Sequence, residues 1–192
     1  METVNFAYNG IYTNLKPGSL AISQGQTTYH LVTTHVGKSN NGNPFWTEAG
    51  VIRSLGTPAW RYFTYDNDEG GWVYHGNTSE NTWSTYNIYV TTTHEAAGWK
   101  YITLINGAFA RGGHLPSYTN QADQCNEAWS DTNTWTNDTN SACHDQPKLY
   151  NGGSQTIWWD NTVPTHPWTI APEKYQMFML GPAYRYITWV QN

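Results

Sequence analysis

Short segments rich in Thr, Val, Ile, Tyr and Trp recur along the whole chain, and clusters of Gly, Pro and Asn separate them. β-Branched and aromatic residues suit a pleated sheet, and many short segments of this kind between turn residues are typical of an all-β sandwich or barrel. No segment longer than a turn or two has the composition of a helix. The pattern predicts strands near residues 20–23, 29–36, 45–53, 60–65, 71–75, 86–92, 101–105, 126–130, 156–159, 175–180 and 184–190.

The composition excludes several other classes of protein. Charged residues make up 12% of the chain and aromatic residues 16%, with 11 Trp and 14 Tyr, so the residues that a helical bundle needs are scarce. A net charge of −5 with nine scattered Lys and Arg leaves no basic stripe for a phosphate backbone, and we expect no nucleic-acid partner. A run of about 18 apolar residues is absent, so we expect no membrane span.

The length of 192 residues corresponds to one domain, at roughly 150 residues per domain. We therefore expect a single β-sandwich domain over residues 1–192. Two polar segments, near 130–151 and 160–172, are predicted as long loops on the sheet scaffold, which is a usual place for binding residues.

Two cysteines, Cys125 and Cys143, enclose a segment of Asn, Thr, Ser, Asp and Trp that has no apolar core of its own. A disulfide would stabilise such a loop by ~3 kcal/mol on the chain-entropy model, and we predict that it forms. A pair of free thiols is the alternative, and the lack of CxxC spacing argues against zinc. Sequons at Asn77 and Asn137 fit export, although no signal peptide is visible, so we expect a secreted or cell-surface protein.

Two glutamates lie inside strand-like segments. The period of two places Glu48 on one face with Trp46 and Ile52, and it places Glu127 on one face with Trp129. A carboxyl group beside apolar side chains tends to have a raised pKa, as a general acid or base requires. The alternative is that both are ordinary surface carboxylates, and the spacing does not show that they meet.

Other side chains give weaker evidence for a functional site. The segment His94-Glu95 lacks the second histidine of the HExxH zinc motif, and no GxSxG motif is present, so we expect neither a metal site nor a cofactor. The tryptophans exceed what one sandwich core needs, and exposed rings suit stacking on sugars or on proline-rich peptides. We expect Trp46, Trp129, Tyr65 and Trp60 to contact the substrate, with core packing as the alternative for many of the aromatic residues.

Several short motifs carry a family resemblance: T-E-A-G at 47–50, R-Y-F-T-Y at 61–65, Y-N-I at 86–88, G-W at 98–99 and C-N-E at 125–127. The region from about 28 to 131 resembles the neprosin family of glutamic peptidases and, more distantly, the eqolisins. Departures exist: the second family glutamate lies in a G-G-E context, and the several cysteines and the propeptide domain of the neprosins are absent. Eqolisins have a glutamine at the position of Glu48 and W-V-G where this chain has H-V-G at 35–37.

The resemblance implies a concanavalin-like antiparallel double sheet with an active site on its concave face. It also implies that Glu48 and Glu127 act together in acid endoproteolysis, one activating water and the other protonating the leaving amine. Two carboxyl groups in one site would share a proton at low pH, which suits this chemistry.

The leading hypothesis is therefore a secreted, acid-acting glutamic endopeptidase whose partner is a polypeptide, including proline-rich segments. One alternative is a non-catalytic surface module that binds glycans or assembles with other subunits. A second alternative is a glycoside hydrolase on the same kind of sandwich, since that reaction also needs two carboxyl groups. The sequence leaves the oligomeric state open.

Overall fold

The computed structural model describes residues 1–19, 22, 27–37, 42, 44–130, 142–166, 175–180 and 185–190, and within them it contains strands and turns but no helix. The strands are β1 (Glu2–Thr3), β2 (Gly10–Lys16), β3 (Thr27–Gly37), β4 (Trp46–Ser54), β5 (Thr57–Asp66), β6 (Gly71–Thr78), β7 (Ser84–Glu95), β8 (Gly98–Ile105), β9 (Ala108–Leu115), β10 (Gln121–Ser130), β11 (Ala142–Tyr150), β12 (Thr156–Trp158), β13 (Thr165–His166), β14 (Tyr175–Leu180) and β15 (Arg185–Val190).

The strands form two antiparallel sheets. One sheet has the order β13-β1-β10-β3-β4-β5-β6, and the other has the order β14-β15-β11-β2-β7-β8-β9, with β12 beside β11. The sheets pack face to face and do not close into a barrel within the described ranges. The predicted all-β double-sheet sandwich is therefore confirmed. Among the described residues, no helix has the length and apolar character needed to cross a bilayer.

The core lies between the sheets because each central strand turns alternate residues inward. Strand β3 contributes Val32 and Val36, and strand β7 of the opposite sheet contributes Tyr86, Ile88 and Val90, all fully or almost fully buried. Burial of each large apolar side chain stabilises the fold by about 1.5–3 kcal/mol. The alternate positions of β3 face the outer side of its sheet, where a cleft lies.

Most predicted strands are confirmed with shifted ends, but five strands are additional: β1, β2, β9, β11 and β13. Strand β11 occupies residues 142–150, which the sequence predicted as part of a polar loop. It pairs with β2 and with β15, and it buries Ala142, His144 and Leu149. Backbone pairing therefore outweighs the polar composition of this segment. The strand predicted at 20–23 lies outside the described residues except for residue 22, and of the predicted loop at 160–172 the structure describes 160–166, which include β13.

The predicted disulfide is wrong, because Cys125 and Cys143 are not joined. Cys125 lies on β10 of the seven-stranded sheet, and Cys143 lies on β11 of the other sheet. The neighbouring Asn126 and His144 face the interior, where Asn126 Oδ1 accepts a hydrogen bond from His30 and His144 donates to a backbone carbonyl of β3. Because successive side chains alternate, the two thiols face opposite outer sides of the sandwich, out of reach of a bond.

Two buried histidines are neutral. His30 Nε2 donates to Asn126 Oδ1, and its ring lies edge-on to Trp60 with 5.2 Å between ring centroids. His144 Nε2 donates to the carbonyl oxygen of Thr33 at 3.0 Å. Burial lowers the pKa of each imidazole to about 4, because the interior solvates the charged form poorly.

We predict that the protein loses stability on acidification from pH 6.5 to pH 4. In this window the unfolded chain binds protons on His30 and His144 while the folded chain does not, so protonation favours unfolding. The loss is on the order of 3 kcal/mol for each histidine at pH 4, and urea unfolding at pH 7 and pH 4 measures it.

The variant His144→Gln keeps an amide donor for the Thr33 carbonyl and should remove about half of this acid-induced loss. The matched variant His166→Gln changes an exposed histidine and should leave the loss as in the wild type. Equal acid-induced losses in all three proteins would contradict the assignment to buried histidines.

Candidate functional site

One row of side chains crosses five strands of the seven-stranded sheet on its outer face. In the strand register, Tyr65 of β5 is opposite Glu48 of β4, and Glu48 is opposite His35 of β3. His35 is in turn opposite Asp123 of β10, which is opposite Glu2 of β1. Cross-strand partners lie about 4.5–5.5 Å apart at Cβ, so the row brings three carboxyl groups, an imidazole and a phenol together.

The imidazole of His35 lies between two carboxylates. Its Nε2 is 3.5 Å from Glu48 Oε1, and its Nδ1 is 3.7 Å from Asp123 Oδ2. Glu48 is only 7% exposed. The second oxygen of Asp123, Oδ1, is 3.5 Å from the amino group of Met1.

These charges decide the protonation state of His35. Burial favours the neutral ring, but the charge and hydrogen bond of Glu48 and the charge of Asp123 outweigh burial and the opposing amino group of Met1. The pKa of His35 therefore rises to about 9, and the imidazole carries a positive charge at neutral pH.

The row forms the base of a cleft of about 430 Å³. Aromatic rings form one wall: Trp46 and Tyr65 have centroids 6.0 Å apart, and Tyr65 and Trp72 have centroids 4.9 Å apart. A small apolar cluster of Leu31 and Ile52, together with Phe63, lies on the same face of the sheet. The cleft thus combines ionisable groups with flat apolar surfaces, which suits a ligand that carries both polar and apolar parts.

Glu127 lines the cleft farther along β10. It is opposite Leu31, four positions from Asp123, which corresponds to about 13 Å along a strand. The phenol of Tyr29 donates a hydrogen bond to Glu127 Oε1 at 2.7 Å, and the Tyr29 ring stacks on Trp129 with 6.4 Å between centroids. Glu127 therefore belongs to an aromatic margin of the cleft, in a different row from Glu48.

The fold places the four residues predicted to contact the substrate in different surroundings. Trp46 and Tyr65 line the cleft, and Trp129, which is 55% exposed, stacks on Tyr29 at its margin. Trp60 does not reach the cleft: it is 2% exposed and packs in the core against His30, because its position on β5 faces the opposite sheet. The assignment of Trp60 to substrate contact is therefore wrong.

Three residues of the row, Glu2, His35 and Asp123, were not among the site residues expected from the sequence. The signal for Asp123 was available, because counting back by twos from Glu127 places it on the same face of the sheet. Within the part of the chain that the structure describes, no group of three or more His, Cys, Asp and Glu side chains is arranged to hold a metal ion.

Comparison with known proteins identifies the fold. No protein-family model matches the chain, and no curated protein matches it significantly. A crystal structure of scytalido-glutamic peptidase with a peptide-based transition state analog matches with a TM-score of 0.66 at 7% identity, and another with a transition state analog inhibitor matches at 0.62 and 7%. SCP-B, a member of the Eqolisin family of peptidases in a complex with the tripeptide Ala-Ile-His, matches at 0.62 and 8%. Each match covers 100% of this chain and 96% of the other chain.

At these identities the matches show a shared fold. They agree with the more distant of the two sequence resemblances, the one to the eqolisins. The neprosin resemblance stays a prediction.

We predict that His35 keeps its proton up to about pH 9, because Glu48 and Asp123 favour the charged ring. Its contribution to stability is complete below pH 6.5 and is lost as the pH rises to about 9. Nitrogen NMR of histidine-labelled protein follows the titration directly. In Glu48→Gln the titration should move down by at least one pH unit, since burial by itself lowers the pKa of His35. A wild-type midpoint near 6.5 would contradict the charged arrangement.

Proposed function

We propose that the protein is a peptide hydrolase that activates water with Glu48. The observation that carries the proposal is the arrangement of Glu48, His35 and Asp123 at the base of an aromatic cleft. The fold that surrounds this arrangement is also the fold of peptidases whose structures contain peptide-like analogs or a tripeptide.

The geometry suggests a role for each residue. The carboxylate of Glu48 accepts a proton from water as the water oxygen bonds to the peptide carbonyl carbon, and it then donates that proton to the leaving nitrogen. The charged imidazole of His35 stabilises the negative oxygen of the tetrahedral intermediate, an interaction that is strong in a site with little water. Asp123 positions the imidazole through Nδ1 and keeps it charged.

A nucleophilic cysteine is a poor alternative in this cleft. Cys125 lies one alternation from Asp123 on the same face of β10. Burial raises the pKa of its thiol well above the ordinary value, and the charge of Asp123 raises it further. Because the thiolate is the reactive form, Cys125 would be inert at neutral pH.

The cleft also suggests how a substrate would lie. A peptide in the extended conformation that crosses the cleft along β10 would meet Glu127 about four residues from the scissile bond. Glu127, between Tyr29 and Trp129, would then bind a basic or aromatic substrate side chain. In this proposal Glu127 selects the substrate, whereas the family resemblance gives it a catalytic role.

The working pH follows from the same residues. His35 is charged from acid to about pH 9, whereas the neutral His30 and His144 favour unfolding below pH 6.5. We therefore place the activity at weakly acidic to neutral pH. This range is less acid than the one that the family resemblance implies; the acid activity and the secreted or cell-surface location stay predictions from the sequence.

Three matched variants test the proposal: Glu48→Gln, Asp123→Asn and Glu127→Gln each replace a carboxyl group of the cleft by an amide of the same shape. Cleavage of an unfolded casein substrate is measured at pH 3.5, 5.5 and 7.5. We expect kcat to fall about 10²–10⁴-fold in Glu48→Gln, because the general base is lost. In Asp123→Asn a fall of roughly tenfold to hundredfold is expected, because the imidazole loses its orientation.

Glu127→Gln should change KM and side-chain preference while kcat stays within about threefold of wild type. A loss in Glu127→Gln as large as that in Glu48→Gln would favour the glutamate pair implied by the family resemblance. Unchanged cleavage in Glu48→Gln would overturn both assignments. Peptide binding without cleavage by the wild type would favour the alternative of a non-catalytic binding module, which the aromatic wall of the cleft would also serve.

A further inference from the structure

A second cleft of about 450 Å³ lies on the outer face of the eight-stranded sheet, on the other side of the sandwich from Glu48. Asn87 and Tyr89 of β7 line it, and they alternate with the core residues Ile88 and Val90. Tyr150 of β11 and Tyr118 complete its aromatic surface, and every residue that lines it is uncharged.

Gly10 has no side chain, and this leaves room for Tyr89 and Tyr150 to approach each other in the second cleft. Gly10 of β2 is opposite Tyr89 on one side and opposite Tyr150 on the other. A Cβ atom at Gly10 would lie 2.9 Å from Tyr150 Cδ2 and 2.4 Å from the carbonyl oxygen of Ile88, so no larger residue fits without a shift. The two rings therefore approach across β2, with centroids 5.7 Å apart and an interplanar angle of 39°.

Hydrogen bonds hold the rim of the cleft in place. Asn9 is 1% exposed, and its Nδ2 donates to the carbonyl oxygens of Val90 and Gly153 at 3.1 and 3.2 Å. Its Oδ1 accepts a hydrogen bond from the Gly152 amide at 2.8 Å, and the hydroxyl of Tyr118 accepts one from the Gly153 amide at 2.8 Å. The rim is thus fixed before a ligand arrives, which reduces the entropic cost of binding.

Asn87 places a buried polar group beside the tyrosine pair. Its Oδ1 is buried and accepts no hydrogen bond from the residues that the structure describes. A hydrogen bond between Asn87 and Tyr150 orients the amide, and it partly offsets the rise that burial causes in the pKa of Tyr150. A buried acceptor without a partner is unfavourable, so a small rotation of the amide toward a ligand that donates a hydrogen bond would be favoured.

We propose that this second cleft binds a neutral sugar unit of a glycan. The faces of Tyr89 and Tyr150 stack on the sugar ring, and a sugar hydroxyl donates to Asn87 Oδ1 once the amide turns toward it. The hydroxyls of Thr91 and Ser154 form hydrogen bonds with other hydroxyl groups of the sugar. A peptide strand is a poor occupant at the tyrosine pair, because Asn87 and Tyr89 are paired with both β2 and β8, and Tyr150 is paired with both β2 and β12, so no open backbone edge lies there. An anion or cation would find no charged partner among the lining residues.

The experiment titrates the full chain by calorimetry with neutral hexasaccharides of glucose, xylose, mannose and N-acetylglucosamine, and with a polygalacturonate oligomer as the charged control. Two variants remove the proposed contacts, Asn87→Leu and Tyr89→Leu, and Tyr65→Leu alters the other cleft as a matched control. We expect at least one neutral hexasaccharide to bind, with at least tenfold weaker binding in both second-cleft variants and unchanged binding in Tyr65→Leu. The thermal midpoint of each variant confirms that it is folded.

Three results would overturn the proposal. The first is no binding of any neutral hexasaccharide up to roughly 10 mM, which corresponds to less than about 3 kcal/mol of binding free energy. The second is loss of binding in Tyr65→Leu alone, which would move the glycan to the first cleft. The third is preferential binding of the charged oligomer. Because none of these readouts involves peptide cleavage, failure of the hydrolase proposal would be seen separately.

Discussion

The alternation of side chains along β3 connects the core of this protein to its cleft. Strand β3 pairs with β10 on one side and β4 on the other, so both of its hydrogen-bonding edges are covered by neighbours. Its residues His30, Val32 and Val36 pack inward, while Leu31 and His35 face the cleft. A slip of one residue in this strand would exchange the two sets and would bury the charged imidazole in the core. The packing of the sandwich therefore holds the site in register.

Three histidines show how strongly position decides charge. His30 and His144 meet only neutral acceptors between the sheets, and burial keeps them uncharged to about pH 4. His35 is one alternation away from the core on the same strand as His30, and two carboxylates keep it charged to about pH 9. A difference of about five pKa units corresponds to roughly 7 kcal/mol between the two protonation equilibria. The residue type carries none of this difference, which comes from the neighbouring groups.

Part of the candidate site could be predicted from the alternation of side chains along a strand, which has a period of two residues. The shared face of Trp46 and Glu48 follows from counting along one strand, and both residues line the cleft. The partner of Glu48 could not be found in this way, because His35 and Asp123 come from strands whose relative register is set by pairing over long sequence separations. Glu127 was selected for its tryptophan neighbour, and the register places Asp123 in the Glu48 row instead. Strand β11 was not predicted because its many polar residues obscure the alternation of buried and exposed positions.

Composition and local period were enough to establish an all-β protein with two antiparallel sheets, since β-branched and aromatic residues in short alternating segments have few other stable arrangements. They also pointed to Glu48 as a carboxylate in apolar surroundings. The charged row of Glu48, His35 and Asp123, the separation of the two thiols and the cleft above Gly10 arise only on folding. Each depends on which residues stand opposite one another across strands and sheets, and such distances depend on the packing of the whole chain.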